Sequence, residues 1–280
     1  MGSSDRVQPG AGSSVRPRKG LGQHFLVDPA HREKIVAAAL LSAADAVLEI
    51  GPGRGEMTEL IADRAGQVVA VELDDRLIPM LHNRFRQRAA VRVIHGDILA
   101  ADVGRLMTEF GAVPYKVIAN LPYYITGAVI RQLLESHPAP EMLVLTVQEE
   151  VAERMVALPP RMNLLATSVQ YFTRAALVHR IPASAFYPVP KVDSAVVRLE
   201  QICSPNAPDV SDGLFFDAVR AGYSRPRKKL RNSLAIGLGV PPAQAQKLLD
   251  EAGIDPDRRP ETLSIPEWTE VARQIGKTGS

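Results

Sequence analysis

VLEIGPGRGEMTELIA, residues 47–62, decides the fold. An apolar run stops at Gly51, glycines recur at Gly53 and Gly55, and a helical apolar period starts soon after. Glycines between a strand and a helix permit a tight turn and let a ligand approach backbone N–H groups. Alone the motif is weak: G-x-G-x-G differs from the dinucleotide fingerprint G-x-G-x-x-G, and such glycines can serve the turn only. Its surroundings carry the argument. VVAVEL (68–73), VRVIHGD (91–97), KVIAN (116–120) and MLVLTVQ (142–148) alternate with RLIPMLHNRF (76–85), AVIRQLLES (128–136) and EEVAERMVA (149–157). Short apolar strands alternating with helical periods predict a parallel sheet covered on both faces.

Upstream, Asp28-Pro29 supplies an N-cap and a proline at the first helical position, predicting a helix over 29–41. Downstream, ALVHRI (176–181) and SAVVRLE (194–200) flank PASAFYPVPKVD (182–193), predicting two strands, a long loop and an antiparallel return that ends the sheet near residue 200. After the linker SPNAPDVSD (204–212) only helical periods remain: 213–223, 228–238, 242–253 and 265–276. The expected organisation is a flexible arm over 1–17, an α/β domain over 18–203 and a small all-helical domain over 204–280.

Composition bounds the rest. The chain has 280 residues, 46% of them apolar and 23% charged, enough to bury a sizeable core and unlike a disordered or fibrous chain. One cysteine, Cys203, closes no internal disulfide and holds no structural zinc, so a reducing compartment, the cytoplasm, is expected. No apolar run reaches membrane-helix length and the first twenty residues lack a signal-peptide core, so neither secretion nor a membrane is expected. The net charge is only +2, but Arg220, Arg225, Arg227, Lys228, Lys229 and Arg231 lie within twelve positions, and no acid occurs between Asp217 and Asp250. Without interleaved acids to neutralise it, that face is expected to meet a polyanion. His31, His82, His95, His137 and His179 show no metal-ligand spacing, and no metal is expected.

Four polar stations close successive strands. Glu72 lies 21 residues after Gly51, Asp97 25 after Glu72, and Asn120 23 after Asp97. Each step is about one strand-helix unit, so all four should open onto the sheet edge where doubly wound folds bind ligands. A carboxylate at Glu72 can accept both hydroxyls of a ribose. The fourth station, Asn120-Leu121-Pro122-Tyr123, departs from nicotinamide enzymes. An aromatic amine is a poor nucleophile because its lone pair is delocalised into the ring. The Asn120 side-chain oxygen and the Leu121 carbonyl, held by Pro122, can accept both amine hydrogens and favour a more tetrahedral nitrogen, with Tyr123 stacked on the base. The bland alternative is an Asx turn ending a strand, with a tyrosine packed behind it.

GQHFLVD (22–28), LEIGPGRGEMT (48–58), VELD (71–74), GDIL (96–99), NLPYYIT (120–126), FYPVPKVDSAVV (186–197) and RKKLRNSL (227–234), in this order, resemble one family. It is the ribosomal RNA adenine N6,N6-dimethyltransferases of the KsgA/Dim group, relatives of the Erm resistance methyltransferases. The resemblance covers residues 18 to about 275 and its motifs are specific. It implies a Rossmann-like class I methyltransferase fold, S-adenosylmethionine as cofactor, and adenine N6 in RNA as acceptor. It also implies that His24 and Leu26 lie against the cofactor, Gly51 against its amino-acid part, Glu72 its ribose and Asp97 its adenine, with Gly53, Ile98 and Asn120 completing that set. Asn120 and the Leu121 carbonyl would hold the target amine next to Pro122, while Tyr123 and Phe186 sandwich a flipped base. No general base is needed: positive charge develops on nitrogen as the methyl arrives, and the proton leaves to water afterwards. Arg225, Arg227, Lys228, Lys229 and Arg231 would contact RNA.

RRPETLSIPEW (258–268) and NLPY favour the small-subunit enzymes. The expected activity is dimethylation of two adjacent adenosines near the 3′ end of small-subunit (16S) rRNA, on an immature 30S particle, by a monomer. The alternatives are a resistance-type enzyme acting on large-subunit rRNA, an RNA-binding assembly or transcription factor without relevant turnover, and a nicotinamide oxidoreductase, although nothing after Glu72 resembles a hydride-transfer site. One departure stands out. LPPRMNLLATSVQYF (158–172) replaces a glycine-containing loop with Tyr-Gly usual in the bacterial enzymes, so a mobile loop there is in doubt.

Overall fold

The computed structural model describes residues 16–202 and 209–278. The arm expected over 1–17 thus falls almost wholly outside the described residues, as do Cys203 and the first half of the linker. The chain forms two compact units. One runs to Glu149 and adds Val178–Arg198; the other comprises Glu150–Leu177 and Leu199 onward. The single cut expected at 203 is therefore not where the contacts divide the chain.

The first unit follows the alternation of strand and helix. β1 (Phe25–Leu26) precedes α1 (Pro29–Ala38), β2 (Ala46–Ile50), α2 (Glu56–Ala62), β3 (Gln67–Glu72), α3 (Ile78–Phe85) and β4 (Val91–His95). Then come α4 (Val103–Glu109), β5 (Tyr115–Asn120), α5 (Thr126–Leu134) and β6 (Met142–Gln148). Asp28 caps α1 as expected, its carboxylate accepting from Ala30 N at 2.8 Å. The helix stops at Ala38 rather than 41, because Leu40 turns the chain at a positive φ of 49°. Every residue of β2 is buried, as is all of β3 after Gln67, which is why they read as unbroken apolar runs. α4 escaped the sequence reading because it is short and contains Gly104. That glycine is a packing requirement, since a Cβ there would meet the His137 carbonyl oxygen at 2.2 Å.

α6 (Glu149–Met155) and α7 (Leu164–Phe172) come next, followed by β7 (Thr173–Ile181), β8 (Phe186–Tyr187) and β9 (Ser194–Gln201). The seven-stranded sheet has the order β4-β3-β2-β5-β6-β9-β7. β2 pairs in parallel with β3 on one side and β5 on the other, so the crossovers change direction between β2 and β5. Ligands bind at such a switch point, beyond the strands' carboxyl ends. A separate two-stranded ribbon pairs β1 with β8, Phe25 opposite Tyr187 and Leu26 opposite Phe186; two residues are too few to leave a period in the sequence.

In the second unit, residues 164–172 are helical, not loop. Asn163 caps α7 by accepting from Ala166 N at 3.0 Å, just past Pro159 and Pro160. Thr167, Val169, Tyr171 and Phe172 are weak helix formers, so tertiary packing decides the outcome. Tyr171 stacks on Phe215 with ring centroids 3.9 Å apart and donates to Asp212 at 2.8 Å. Its partners belong to α8 (Asp212–Gly222), which leads to α9 (Leu230–Leu238), α10 (Pro242–Glu251) and α11 (Ile265–Thr278). Phe215, Leu230, Leu234, Leu249 and Trp268 share one core with Ala166 and Tyr171. α8 and α9 cross closely, so that a Cβ at Gly237 would lie 2.3 Å from Ala221 Cα. Backbone cannot swing aside as a side-chain end can. Gly237→Ala is expected to destabilise the protein by about 1–3 kcal/mol, read as a lower urea midpoint; an unchanged midpoint would refute that packing.

Candidate active site

β2, β3, β4 and β5 end in register: Ile50 lies opposite Val71 and Ala119, and Glu72 opposite His95. Beyond those ends lies a cavity of about 1180 Å³, counted out to its open mouth. Gly51, Gly53, Glu72, Asp97, Ile98, Asn120, Leu121, Pro122 and Tyr123 all line it, together with His24, Leu26 and Phe186 from outside the four strand ends. The structure therefore brings into one cavity every residue that the sequence placed in the cofactor and acceptor sites.

The glycine turn is left-handed at all three glycines, with φ of 70°, 60° and 83° at Gly51, Gly53 and Gly55. At Gly53 space matters too: a Cβ would stand 3.0 Å from the Phe25 ring. Gly53 N donates to one Glu72 oxygen at 3.0 Å, and Asp74 N to the other at 2.8 Å. Burial pushes the Glu72 carboxyl up, and these two backbone donors oppose that shift. Each carboxylate oxygen keeps a second acceptor site, which is what a ribose diol requires. Asp97 caps the turn after β4, one oxygen accepting from Leu99 N at 2.9 Å, and the Gln132 amide ties that turn to α5 through the Ile98 and Ala101 carbonyls at 2.8 and 2.6 Å.

The acceptor station is more constrained. Asn120 Nδ2 donates to the His24 carbonyl at 3.2 Å. A carbonyl cannot donate, so the amide orientation is set and Oδ1 is left without a donor among the described residues. Tyr123 is held by its hydroxyl, 3.1 Å from the buried Ser194 hydroxyl, and Phe186 is buried against the core with its side chain in the cavity wall. Above the site, Gln23 donates to Asp74 at 3.0 Å. The Arg76 guanidinium beside it holds the Asp74 carboxyl down at about 2.

The sequence reading passed over one site neighbour, Glu49. Its carboxyl is fully buried within β2, and neither oxygen has a hydrogen-bond partner. Burial pushes it up to about 8; Thr58 opposes the shift, while Glu72 and Glu56 add to it. A charged residue inside the all-apolar run AVLEI was the available signal.

The basic cluster is corrected in part. An acid absent from the local sequence arrives through the fold, Asp257 pairing with both Lys229 and Arg231 at 2.6 Å, and the neighbouring Asp217 pairs with Arg220 at 2.5 Å. Arg225, Arg227 and Lys228 stay exposed, with no ion pair among the described residues. No group of three His, Cys, Asp or Glu side chains able to hold a metal occurs among the described residues, and no described helix is long and apolar enough to cross a membrane.

A cavity of this form, with a carboxylate poised for a ribose at β3 and an amide oxygen at β5, on this strand order, defines a Rossmann-like class I methyltransferase that uses S-adenosylmethionine. Residues 15–277 match the model for ribosomal RNA adenine dimethylase. A ribosomal RNA small subunit methyltransferase A of Dehalococcoides mccartyi is 48% identical over 257 residues, 92% of this chain and 88% of that protein. The one from Pelotomaculum thermopropionicum is 44% identical over 268 residues, 92% and 91% of the two chains. Among solved structures, a dimethyladenosine transferase from Plasmodium falciparum superposes with a TM-score of 0.79 at 25% identity, covering 91% of this chain and 98% of its own. The 23S rRNA methyltransferase ErmE gives 0.72 at 26%, covering 90% and 99%. The chain belongs to the ribosomal RNA adenine dimethylase family.

Glu49 generates a pH prediction. Its carboxyl binds a proton in the folded state that the unfolded chain has released, across the window from 4.5 to about 8. The stability it contributes is present in full below pH 4.5 and is lost as pH rises through 8. Glu49→Gln should flatten that decline in urea unfolding between those pH values; a slope equal to the parent's would show the carboxyl to be solvated.

Proposed function

We propose that this enzyme dimethylates N6 of two adjacent adenosines near the 3′ end of small-subunit rRNA, on an immature 30S particle, working as a monomer in the cytoplasm. The observation that carries the acceptor assignment is Asn120, which lines the cavity and whose Nδ2 is committed to His24 O, leaving Oδ1 without a donor among the described residues. The small-subunit assignment follows the names of the two relatives above.

When bound, S-adenosylmethionine supplies an electrophilic methyl group. Glu72 would accept from its ribose, Asp97 and Ile98 would hold its adenine, His24 and Leu26 would lie against it, and Gly51 and Gly53 would leave room at its amino-acid end. Asn120 Oδ1 and the Leu121 carbonyl accept the two N6 hydrogens, drawing the nitrogen lone pair out of conjugation and aiming it. Pro122 stiffens that turn, with its carbonyl accepting from Ile125 N at 3.2 Å. Tyr123 and Phe186 grip the flipped base by its faces. Positive charge develops on N6, and the proton then passes to water, so none of these side chains has to act as a base. A monomethylated amine still carries one hydrogen for Asn120 or Leu121, which allows a second transfer in the same slot.

RNA is held through phosphates by Arg225, Arg227 and Lys228, while Lys229 and Arg231 clamp Asp257. This division is testable. Over about 50–200 mM salt, neutralising each of the first three should reduce the slope of log affinity against log salt by about one, while Lys229→Gln and Arg231→Gln change it less and lower the melting temperature instead. Equal slopes for all five variants would reject the division.

The activity itself is tested with labelled methyl donor and immature small subunits. The parent should form N6-dimethyladenosine. Losing a hydrogen bond made in the transition state typically costs about 10²–10³ in kcat, and Asn120→Ala is expected to fall by that much. Parent-like turnover by Asn120→Ala would dismiss the slot. Methylation of large subunits alone would favour the resistance-type reading instead.

A further inference from the structure

We infer that Tyr124 contacts the substrate outside the adenine slot: its exposed ring, carried on the same turn as Tyr123, stacks the nucleotide next to the flipped adenosine. The inference rests on the acceptor assignment above and extends it to the neighbouring base.

Tyr123 and Tyr124 are the two central residues of one turn, closed by Ile125 N donating to the Pro122 carbonyl at 3.2 Å. The Thr126 hydroxyl donates to the same carbonyl at 3.3 Å, which fixes the turn at the head of α5. The two rings are held differently. Tyr123 is half-buried and bound through its hydroxyl to Ser194. Tyr124 also lines the cavity, yet it is 64% exposed. The hydroxyls of Tyr115, Tyr123, Tyr171 and Tyr223 are each engaged, whereas that of Tyr124 has no partner among the described residues.

An exposed ring alone means little, because much of any protein surface is apolar. Here the surroundings hold the ring at the mouth of the site. Gly22 turns the chain at a φ of 58°, and a Cβ there would stand 3.3 Å from Tyr124 Cε1, 3.5 Å from Cδ1 and 3.8 Å from Pro122 Cβ. One ring edge therefore lies against a residue with no side chain, while most of the residue stays open to solvent. A ring already held at one edge has less rotamer freedom to lose when a base arrives. The other exposed tyrosine, Tyr187, does not line the cavity.

Flipping a base out of its stack leaves its neighbour short of a stacking partner. An aromatic side chain at the mouth replaces that partner, and because every base has a π-face the contact tolerates any sequence. Consecutive Cα atoms are only about 3.8 Å apart, so the rings of Tyr123 and Tyr124 serve neighbouring nucleotides rather than distant ones. A platform indifferent to base identity serves both adenosines in turn, since each has a neighbour on the same side.

The test uses the full chain and small subunits reconstituted with rRNA in which the nucleotide directly 5′ or directly 3′ of the first target adenosine is abasic, with product scored at that adenosine. Loss of base–aromatic stacking costs about 5- to 150-fold, so Tyr124→Ala should lower kcat/KM on intact RNA by that much and Tyr124→Phe should stay near the parent. The parent should suffer the same loss on one of the two abasic RNAs, and Tyr124→Ala should lose nothing further on it. Melting temperature and calorimetric affinity for S-adenosylhomocysteine should match the parent's. Parent-like kcat/KM for Tyr124→Ala would overturn the inference, as would Tyr124→Phe falling as far as Tyr124→Ala, or losses from variant and abasic residue that simply multiply. Lower stability or S-adenosylhomocysteine affinity in step with kcat/KM would assign Tyr124 to the scaffold or the cofactor site and overturn it too. Failure of the underlying reading looks different: Asn120→Ala would then turn over intact RNA like the parent, whatever the Tyr124 variants do.

Discussion

The hydrogen bond from Asn120 Nδ2 to the His24 carbonyl is the constraint on which the rest of the site depends. A carboxamide offers a donor end and an acceptor end of equal size, and an adenine amine can use only the acceptor. The opposing carbonyl has no hydrogen to give, so it takes the donor end and settles the choice. That carbonyl must itself be immobile. Gln23 is anchored to an Asp74 carboxyl that the Arg76 guanidinium holds at about 2, hence ionised at any neutral pH, and the next two residues are locked into the β1–β8 ribbon.

The sheet provides the stage. Parallel strands buried on both faces can slip only by exposing apolar side chains, so their register is strongly specified, and register brings the ends of β2, β3 and β5 level. The glycine turn then leads the chain out of β2 without placing a Cβ against Phe25 at Gly53. Glu49 is a cost within this arrangement. An unpartnered buried carboxyl is tolerated by staying protonated, one strand position before the turn that lines the cavity.

Much of this was legible in the sequence because it depends on local pattern. Strands such as AVLEI and MLVLTVQ are apolar runs of strand length, and the spacing of Gly51, Glu72, Asp97 and Asn120 reports the length of one strand-helix unit. What escaped the reading depends on distant partners. β1 and β8 are too short to show a period, and each exists because of the other. α7 is made of weak helix formers and is held by Phe215 and Asp212, more than forty positions away. Asp257 lies far along the chain from the cations it neutralises, so a charge count over 220–231 overstates the field there. The hydrogen bond between the His24 ring and the Pro188 carbonyl spans 164 residues, and no local pattern announces it.

The helical unit is assembled from two separated stretches, Glu150–Leu177 and Leu199 onward. During synthesis α6 and α7 emerge early, with Ala166 and Tyr171 awaiting Phe215, Leu249 and Trp268, which are translated much later. A nascent chain halted after β9 would carry an orphaned apolar surface, and a gene fragment cut at the apparent interdomain linker would inherit the same defect. Severing this protein into independently expressible halves would require moving the α6–α7 segment next to α8, because its covalent order and its folding units do not coincide.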